Sequence, residues 1–265
     1  MCPALGCEPR NETTIFMKES PASTSEIRGI LLDIEGTITP ISFVHETLFP
    51  YARARTGSFL ATHGDAAEVV PDIQMLQDEN AADKTQGAPP VTVGPREARI
   101  ESLTRYVHWL IDHDRKSTGL KSLQGKIWKE GYLDGSLRAP LFVDVLPALE
   151  RWKRLGLTVA IFSSGSVLAQ QLLMAHTQAG NVTQFIDGYF DTNTGPKTAG
   201  DSYRAIAAAL RLRTSNLLFI SDVVNELDAA AMAGIQAFLC IRPGNPPQPS
   251  AGRYQVITAF DQVLE

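Results

Sequence analysis

The sequence predicts an α/β protein in which a doubly wound parallel sheet carries an inserted, mainly helical cap. Apolar runs of strand length alternate with helical patterns from residue 143 to residue 240, an alternation typical of parallel sheets with helices on both faces. A further apolar strand at 29–33 stands far ahead of this block. We therefore expect the helical patterns between them to form a separate unit, inserted after the first strand.

The first half of the chain is mainly helical after its opening strand. A helical pattern at 42–60 is expected to bend at Pro50. An amphipathic helix begins at Pro95, because apolar residues recur there at intervals of three and four, and a second helix covers 120–128. Residues 62–94 are rich in Ala, Asp, Gly and Pro, and only 69–76 has a short helical pattern. The rest of that segment is predicted to be a loop insertion without fixed structure.

The second half alternates regularly, which fixes the domain prediction. Its elements are a helix at 143–155, a strand at 158–162, a helix at 167–176, a strand at 185–190, a helix at 202–212, a strand at 216–220, a helix at 225–233 and a strand at 235–240. The expected domains are a flexible N-terminal tail at 1–27, a core made of 28–40 and 141–265, and a cap at 41–140.

Composition narrows the class of protein. The chain has 265 residues and a net charge of -5, which argues against a surface for nucleic acid or anionic membranes. Three cysteines, at 2, 7 and 240, form no disulfide framework. Neither a signal peptide nor an apolar run of membrane length is apparent. The sequence therefore predicts a cytoplasmic protein, with the nucleus as an open alternative, and a monomer.

Acidic residues end two of the predicted strands. Asp33 follows the first strand, and Glu35 comes two residues later in a glycine turn. Asp222 ends the strand at 216–220, and Glu226 follows four residues on. An aspartate can attack phosphorus to form an acyl phosphate, and a nearby glutamate can move the protons. Asp33 and Asp222 together offer the oxygen ligands that Mg²⁺ prefers, and Glu226 is an anchor for a lysine or a metal-bound water.

Two other strand ends carry groups suited to an anion. Ser163 and Ser164 lie between a strand and a helix, where hydroxyls and backbone N–H groups bind oxyanions. Lys197 follows the strand at 185–190 and would offset phosphoryl charge. Each feature alone has an ordinary interpretation as a turn residue, a helix cap or a surface lysine. Carboxylates, serine turn, lysine and carboxylate at four successive strand ends form a far more specific set.

This set resembles the haloacid dehalogenase superfamily of aspartyl-phosphate phosphatases. The resemblance implies a core of that fold with Asp33 as nucleophile, Ser163 on the phosphate, Lys197 as its cation and Asp222 on the metal. Position 35 is glutamate, where the superfamily usually has aspartate. In this respect the sequence resembles the enolase-phosphatase (acireductone synthase) family. Further likeness lies at 39–44, 48–51, 123–128, 162–166, 190–192 and 241–245.

The resemblance implies a phosphoric monoester hydrolase of methionine salvage with two reactions. Its substrate would be 2,3-diketo-5-methylthiopentyl 1-phosphate, enolised and then dephosphorylated to 1,2-dihydroxy-3-keto-5-methylthiopentene. One Mg²⁺ per subunit would be held by Asp33, the backbone carbonyl of Glu35, and Asp222. Ser163 and Ser164 would bind phosphate or diketone oxygens, and Lys197 the phosphate.

Several points stay open at this level. Glu35 is the first candidate for abstracting the carbon-bound proton, and a cap residue is the second. In the cap, Gln124, Lys126, Trp128 and Tyr132 are candidates for substrate contact, although Trp128 is more simply a core residue. His45 and His108 lie in helical patterns and are not expected to be catalytic. The alternatives are a phosphatase for another small ester, such as a sugar phosphate or nucleotide, and a non-enzymatic phospho-aspartate switch.

Overall fold

The computed structural model describes Met1, residues 26–248 and residues 251–264. Most of the predicted tail at 1–27, including Cys2 and Cys7, lies outside the described residues. Cys240 is buried, and it has no disulfide partner among the described residues. Within the described part of the chain, none of the helices combines the length and the apolar character needed to cross a bilayer.

Six parallel strands form one sheet. They are β1 Gly29–Leu32, β2 Thr158–Phe162, β3 Gly188–Phe190, β4 Leu217–Ser221, β5 Gln236–Cys240 and β6 Gln255–Ile257. Their order across the sheet is β3-β2-β1-β4-β5-β6, and every neighbouring pair is parallel. The order reverses at β1, between β2 and β4, which is where open sheets of this kind place a ligand crevice. The prediction of a doubly wound parallel sheet is confirmed.

The central strands are mostly apolar because both faces of the sheet are covered. Every residue of β1 and of β4 is buried, as expected for the interior of a parallel sheet. Leu32 is level with Ile161 on one side and with Ile220 on the other. The chain therefore leaves these three strands at one height, and the residues that follow them meet at one edge of the sheet.

Eight helices surround and extend the sheet within the described residues. They are α1 Phe49–His63, α2 Val70–Asp83, α3 Arg96–Asp112, α4 Thr118–Leu133, α5 Val145–Arg154, α6 Val167–Ala175, α7 Gly200–Ala209 and α8 Val224–Met232. Helices α1–α4 lie between β1 and α5 in the chain, as the inserted helical block requires. One face of the sheet, with Ile30 and Leu32, shares an apolar cluster with this block through residues such as Leu123. The other face, with Leu31, packs against Tyr203 of α7 and Leu227 of α8.

The prediction of a loop at 62–94 is wrong over much of that segment. The structure has α2 there, followed by a 3₁₀ turn at Lys84–Gln86. Composition concealed this helix because three of its buried residues are polar, namely Asp72, Asn80 and Asp83. Distant partners satisfy them: Lys126 pairs with Asp72, and the Tyr106 hydroxyl donates to Asp83 at 2.8 Å.

Other differences from the predicted elements are small. The helix expected at 42–60 begins as a π-helical turn at Phe43–Leu48 and continues as α1. Pro50 lies in the first turn of α1, where its missing N–H needs no helical partner. The strand predicted at 185–190 is limited to β3, after a 3₁₀ turn at Thr183–Phe185. Strand β6 was not predicted, because three residues are too few to show a pattern.

The two chain segments that join the helical block to the sheet run side by side. The hydroxyl of Thr39, in the first segment, donates to the carbonyl of Pro140 at 2.6 Å. The N–H of Phe142, in the second, donates to the carbonyl of Ile38 at 3.1 Å. The block therefore leaves and rejoins the sheet at nearly the same place, directly beyond the end of β1.

Candidate active site

A buried lysine joins two carboxylates at the carboxyl edge of the sheet. Asp33 directly follows β1, and its N–H donates to Ile220 of β4 at 3.0 Å. The ammonium of Lys197 pairs with Oδ1 of Asp33 and lies 2.7 Å from Oε2 of Glu226. The side chains of Asp33 and Lys197 are only 4% and 6% exposed. The ammonium of Lys197 is thus fixed beside the predicted nucleophile, where little water can screen its charge.

The position of Lys197 follows from contacts around its turn. The Tyr203 hydroxyl, on α7, donates to the carbonyl of Lys197 at 2.8 Å. The Ser202 hydroxyl donates to the carbonyl of Pro196 at 2.7 Å. The ring of Phe162 lies beneath the ammonium, 5.8 Å from its centre. Helix α7 therefore holds the backbone of this turn while the side chain reaches across to β1 and β4.

The acidic groups outnumber the lysine, which changes their protonation. Burial, together with the charges of Asp33 and Glu226, raises the pKa of Asp222 to about 7. Burial and the charge of Asp33 raise the pKa of Glu226 to about 7 as well. Burial alone would lower the pKa of Lys197, but the carboxylates of Asp33 and Glu226 outweigh it and raise that pKa. The cluster thus has surplus negative charge, which a divalent cation would offset.

Glu35 and Ser163 meet beside this cluster. The Ser163 hydroxyl donates to Oε2 of Glu35 at 3.4 Å and accepts the N–H of Gly165 at 3.0 Å. Burial and the charge of Asp33 raise the pKa of Glu35. A carboxyl group whose pKa is raised holds its proton more readily, and it is a stronger base once the proton has left. The two predicted residues therefore form one polar unit, suited to proton transfer.

Sequence reasoning missed a residue that fixes the serine turn. Gln170, on α6, is buried and donates its amide to the carbonyls of Gly165 at 2.8 Å and Phe190 at 2.9 Å. The same Phe190 carbonyl accepts the N–H of Ser163 at 3.1 Å. Gln170 thereby ties the serine turn to the end of β3. No local pattern marks such a residue, because its partners are backbone groups of other segments.

A cavity of about 450 Å³ opens above these residues, between the sheet edge and the helical block. Glu35, Ser163 and Ser164 line its floor, so Ser164 shares the site although it is exposed. The opposite wall is largely apolar. That wall includes Val44, Leu48, Phe49, Leu120 and Trp128. The cavity thus has polar groups from the sheet edge and an apolar surface from the helical block, which also contributes polar residues such as Arg115, Lys121 and Gln124.

The four residues of the helical block that are predicted to contact substrate separate into two groups. Gln124, Trp128 and Tyr132 line the cavity. The indole N–H of Trp128 also donates to the carbonyl of Leu48 at 2.8 Å, so Trp128 is both a packed core residue and part of the wall. Lys126 does not line the cavity, because it pairs with Asp72 of α2.

The oxygen atoms of the acidic residues at the sheet edge are the candidate ligands for a metal ion. Among the described residues, no three His, Cys, Asp or Glu side chains converge as a self-sufficient metal site. Mg²⁺ needs only one or two carboxylates, since water and substrate complete its shell. Gly36, with a φ of +73°, closes the turn after Glu35, and a Cβ there would lie 2.5 Å from Oδ2 of Asp222. The missing side chain leaves the Asp222 carboxylate close to the turn, an arrangement that fits a small, oxygen-liganded cation.

Comparisons with known proteins agree with this geometry. A sequence model of the haloacid dehalogenase-like hydrolases matches residues 27–234. The enolase-phosphatase E1 of Synechococcus elongatus is 50% identical over 237 residues, covering 89% of this chain and 98% of that protein. The chain belongs to this family.

Other members of the family support the assignment. In Populus trichocarpa, a probable bifunctional methylthioribulose-1-phosphate dehydratase/enolase-phosphatase E1 is 41% identical, and the match covers 89% of this chain and 47% of that longer protein. The crystal structure of the UTR4 protein from Saccharomyces cerevisiae is 36% identical, with a TM-score of 0.72 over 90% of this chain and all of that one. The predicted enolase-phosphatase family and the predicted hydrolase class are confirmed.

Proposed function

We propose that this chain enolises 2,3-diketo-5-methylthiopentyl 1-phosphate and then hydrolyses its phosphate, as an enolase-phosphatase of methionine salvage. The observation that carries the proposal is that two groups of residues are neighbours at the sheet edge, where Glu35 senses the charges of Asp33 and Lys197 and lines the cavity together with Ser163. Asp33, Lys197 and Glu226 form a phosphoryl-transfer cluster, and Glu35 with Ser163 forms a proton-transfer pair beside it. A single bound substrate would reach both.

Asp33 is the proposed nucleophile. Its Oδ1 is paired with Lys197, so we assign the attack on phosphorus to Oδ2. The new oxygen–phosphorus bond forms as the bond to the substrate's alkoxide breaks, and water then hydrolyses the acyl phosphate. Lys197 neutralises charge on the transferring phosphoryl group, and Glu226 holds the ammonium in place at 2.7 Å.

Glu35 is the proposed acid and base. In the enolisation, its carboxylate takes the carbon-bound proton, and the resulting acid returns a proton to the carbonyl oxygen to give the enol. In the phosphate transfer, Glu35 in its acid form protonates the leaving oxygen, and its carboxylate then takes a proton from the water that attacks the acyl phosphate. Ser163, within hydrogen-bond reach of Glu35, orients the carboxyl group. We assign Ser163 and Ser164 to the phosphate or diketone oxygens, since both line the floor of the cavity.

We propose one Mg²⁺ per subunit, held by Asp33, the backbone carbonyl of Glu35, and Asp222. The surplus acid in the cluster and the raised pKa of Asp222 support this choice. Such an ion would polarise a substrate carbonyl and screen phosphoryl charge. Oδ1 of Asp33, which pairs with Lys197, has a further lone pair with which it could hold the ion, and this leaves Oδ2 for the attack on phosphorus.

The apolar wall is the proposed binding surface for the methylthio end of the substrate. Leu48, Phe49 and Trp128 supply aliphatic and aromatic surface there, and a thioether packs favourably against such groups. We also propose that 28–40 with 141–265 and 41–140 are the core and cap domains. The monomeric state and the cytoplasmic location stay predictions from the sequence.

The test is to incubate the protein with the diketo phosphate and Mg²⁺ while following ultraviolet absorbance of the conjugated enol alongside phosphate release. We expect enol to precede phosphate. Asp33→Asn should abolish phosphate release, because an amide is not a nucleophile. The matched control is Asp191→Asn, also a buried strand-end aspartate, whose Oδ1 accepts the N–H of Asn193 and whose Oδ2 accepts that of Val167. The asparagine keeps one of these two acceptors, so circular dichroism should first show that the control is folded.

Each alternative function has its own outcome. Phosphate release from many simple esters without any enol would overturn the enolase assignment and leave a general phosphatase. One stoichiometric phosphorylation of Asp33 without turnover would indicate a phospho-aspartate switch. Equal phosphate release by wild type and Asp33→Asn would reject Asp33 as the nucleophile.

A further inference from the structure

The loop after β5 donates side-chain hydrogen bonds to backbone carbonyls of the turn that carries Glu35. The amide nitrogen of Asn245 donates to the carbonyl of Gly36 at 2.9 Å and approaches that of Cys240 at 3.4 Å. Buried Arg242, three residues earlier, donates to the carbonyl of Thr37 at 3.1 Å. This loop therefore holds two consecutive carbonyls of the turn and leaves little freedom to either segment.

These contacts fix the orientation of the Asn245 amide. Only its NH₂ group can donate to the two carbonyls, so its oxygen must face the other way. That oxygen, Oδ1, is buried and has no hydrogen-bond partner in the described chain. A buried acceptor without a donor costs free energy, and in native proteins it calls for a specific explanation.

The surroundings of Asn245 Oδ1 supply such an explanation. A Cβ on Gly36 would lie 2.9 Å from Asn245 Oδ1 and 2.5 Å from Asp222 Oδ2. The two oxygens thus approach the same point beside Gly36. Both are acceptors, so their closeness favours a donor or a cation near them rather than direct contact.

We propose that Asn245 is a positioning residue of the magnesium site, whose Oδ1 accepts a hydrogen bond from a metal-bound water. The inference rests on the Mg²⁺ site proposed above and adds a residue to its outer layer. Mg²⁺ retains several waters when it binds to proteins, and each such water has protons to donate. Outer-layer partners of this kind set the orientation of the inner ligands. The NH₂ group, through Gly36, keeps the neighbouring Glu35 carbonyl in place.

The test measures Mg²⁺ affinity by calorimetric titration in the absence of substrate. Asn245→Leu keeps the size of the side chain but removes the acceptor, and we expect a loss of roughly 10- to 100-fold in affinity. Asn245→Asp keeps an oxygen in place of Oδ1, replaces the donor to Gly36 with a second acceptor and adds a negative charge, so it should bind Mg²⁺ at least as tightly as wild type. Asn216→Leu is the control, because the Asn216 amide also donates to a backbone carbonyl, that of Glu26, far from the site.

The outcomes separate the explanations. Weak binding in Asn245→Leu with retained binding in Asn245→Asp supports the acceptor role. Equal weakening in both variants would assign the effect to the tether on Gly36 and overturn the proposal, as would unchanged affinity in both. If wild type binds no Mg²⁺, the metal site itself is rejected. Asn245→Ala replaces the leucine variant if circular dichroism shows that the latter is unfolded.

Discussion

The sheet edge contains a buried lysine–aspartate pair and the helical block a partly buried one, and the two pairs are built differently. Lys197 contacts Asp33 and also Glu226, with Asp222 close enough to be affected by their charges. Lys126 pairs with Asp72 and also donates a hydrogen bond to the neutral hydroxyl of Ser122, at 3.0 Å.

This difference separates a reactive site from a structural one. The pair in the helical block is balanced, since one cation meets one anion and a hydroxyl completes the contacts. The cluster at the sheet edge has more acids than bases. Buried uncompensated charge is costly, so the excess supports the proposal above that Mg²⁺ supplies the missing positive charge.

The largest effect should come from Lys197→Met. The substitution leaves Asp33 and Glu226 without their shared cation, so we expect turnover to fall by at least about 100-fold. Loss of one partner of a buried pair should also lower the free energy of unfolding by roughly 3 kcal/mol. Phosphate-release kinetics and urea unfolding measure the two effects. Normal turnover in a folded variant would remove Lys197 from the catalytic site.

Lys126→Met is the matched change in the helical block. It also leaves a buried aspartate, Asp72, without its cation, so a loss of stability of about 3 kcal/mol is expected there too. Turnover should not change, because Lys126 does not line the cavity. The same two measurements apply. A fall in turnover as large as that of Lys197→Met would show that the two pairs do not differ in function.

Gly36→Ala tests the close approach of Asp222 to the turn. A residue other than glycine at this φ costs about 1–2 kcal/mol by itself, and the new Cβ would also displace the Asp222 carboxylate. Mg²⁺ affinity should therefore fall along with stability. Gly156→Ala is the control, because Gly156 has the same φ of +73° with no atom within 4 Å of a new Cβ. Equal Mg²⁺ affinity in the two variants would contradict the expectation.

The smallest effect concerns pH. In the metal-free protein the pKa of Glu226 is raised to about 7, so the folded state binds this proton more tightly than the unfolded state. The resulting stability is present at low pH and is lost as the pH rises through about 7. Wild type should therefore gain more in Tm than Glu226→Gln between about pH 8 and pH 5.5, when both are measured in a chelator. Identical gains would mean that Glu226 does not titrate in this range.

The sequence was sufficient for features with a local pattern. Strands β1, β2 and β4 are apolar runs that end in a polar turn, so their positions and the residues after them were predictable. The structure brings Asp33, Lys197 and Glu226 together, and Glu35 with Ser163 beside them. Parallel strands made this convergence predictable, because their carboxyl ends share one edge.

Features that depend on distant partners were not predictable. Helix α2 has a weak apolar pattern and buries Asp72, Asn80 and Asp83, which composition assigns to a loop. Gln170 and Asn245 act through backbone carbonyls far along the chain. In each case a polar side chain is buried because tertiary contacts satisfy it, and no interval between residues records such contacts.

The paired linkers at Thr39 and Pro140 have a consequence for how the chain evolves. The inserted block begins and ends at adjacent points. Its length therefore does not change the distance that the chain must span between the two ends of the insertion. Closing a loop costs little more entropy when the loop grows. This junction is therefore a place where insertions can be lengthened, shortened or exchanged while the strands keep their register, so that new substrate preferences can arise without rebuilding the chemistry beneath.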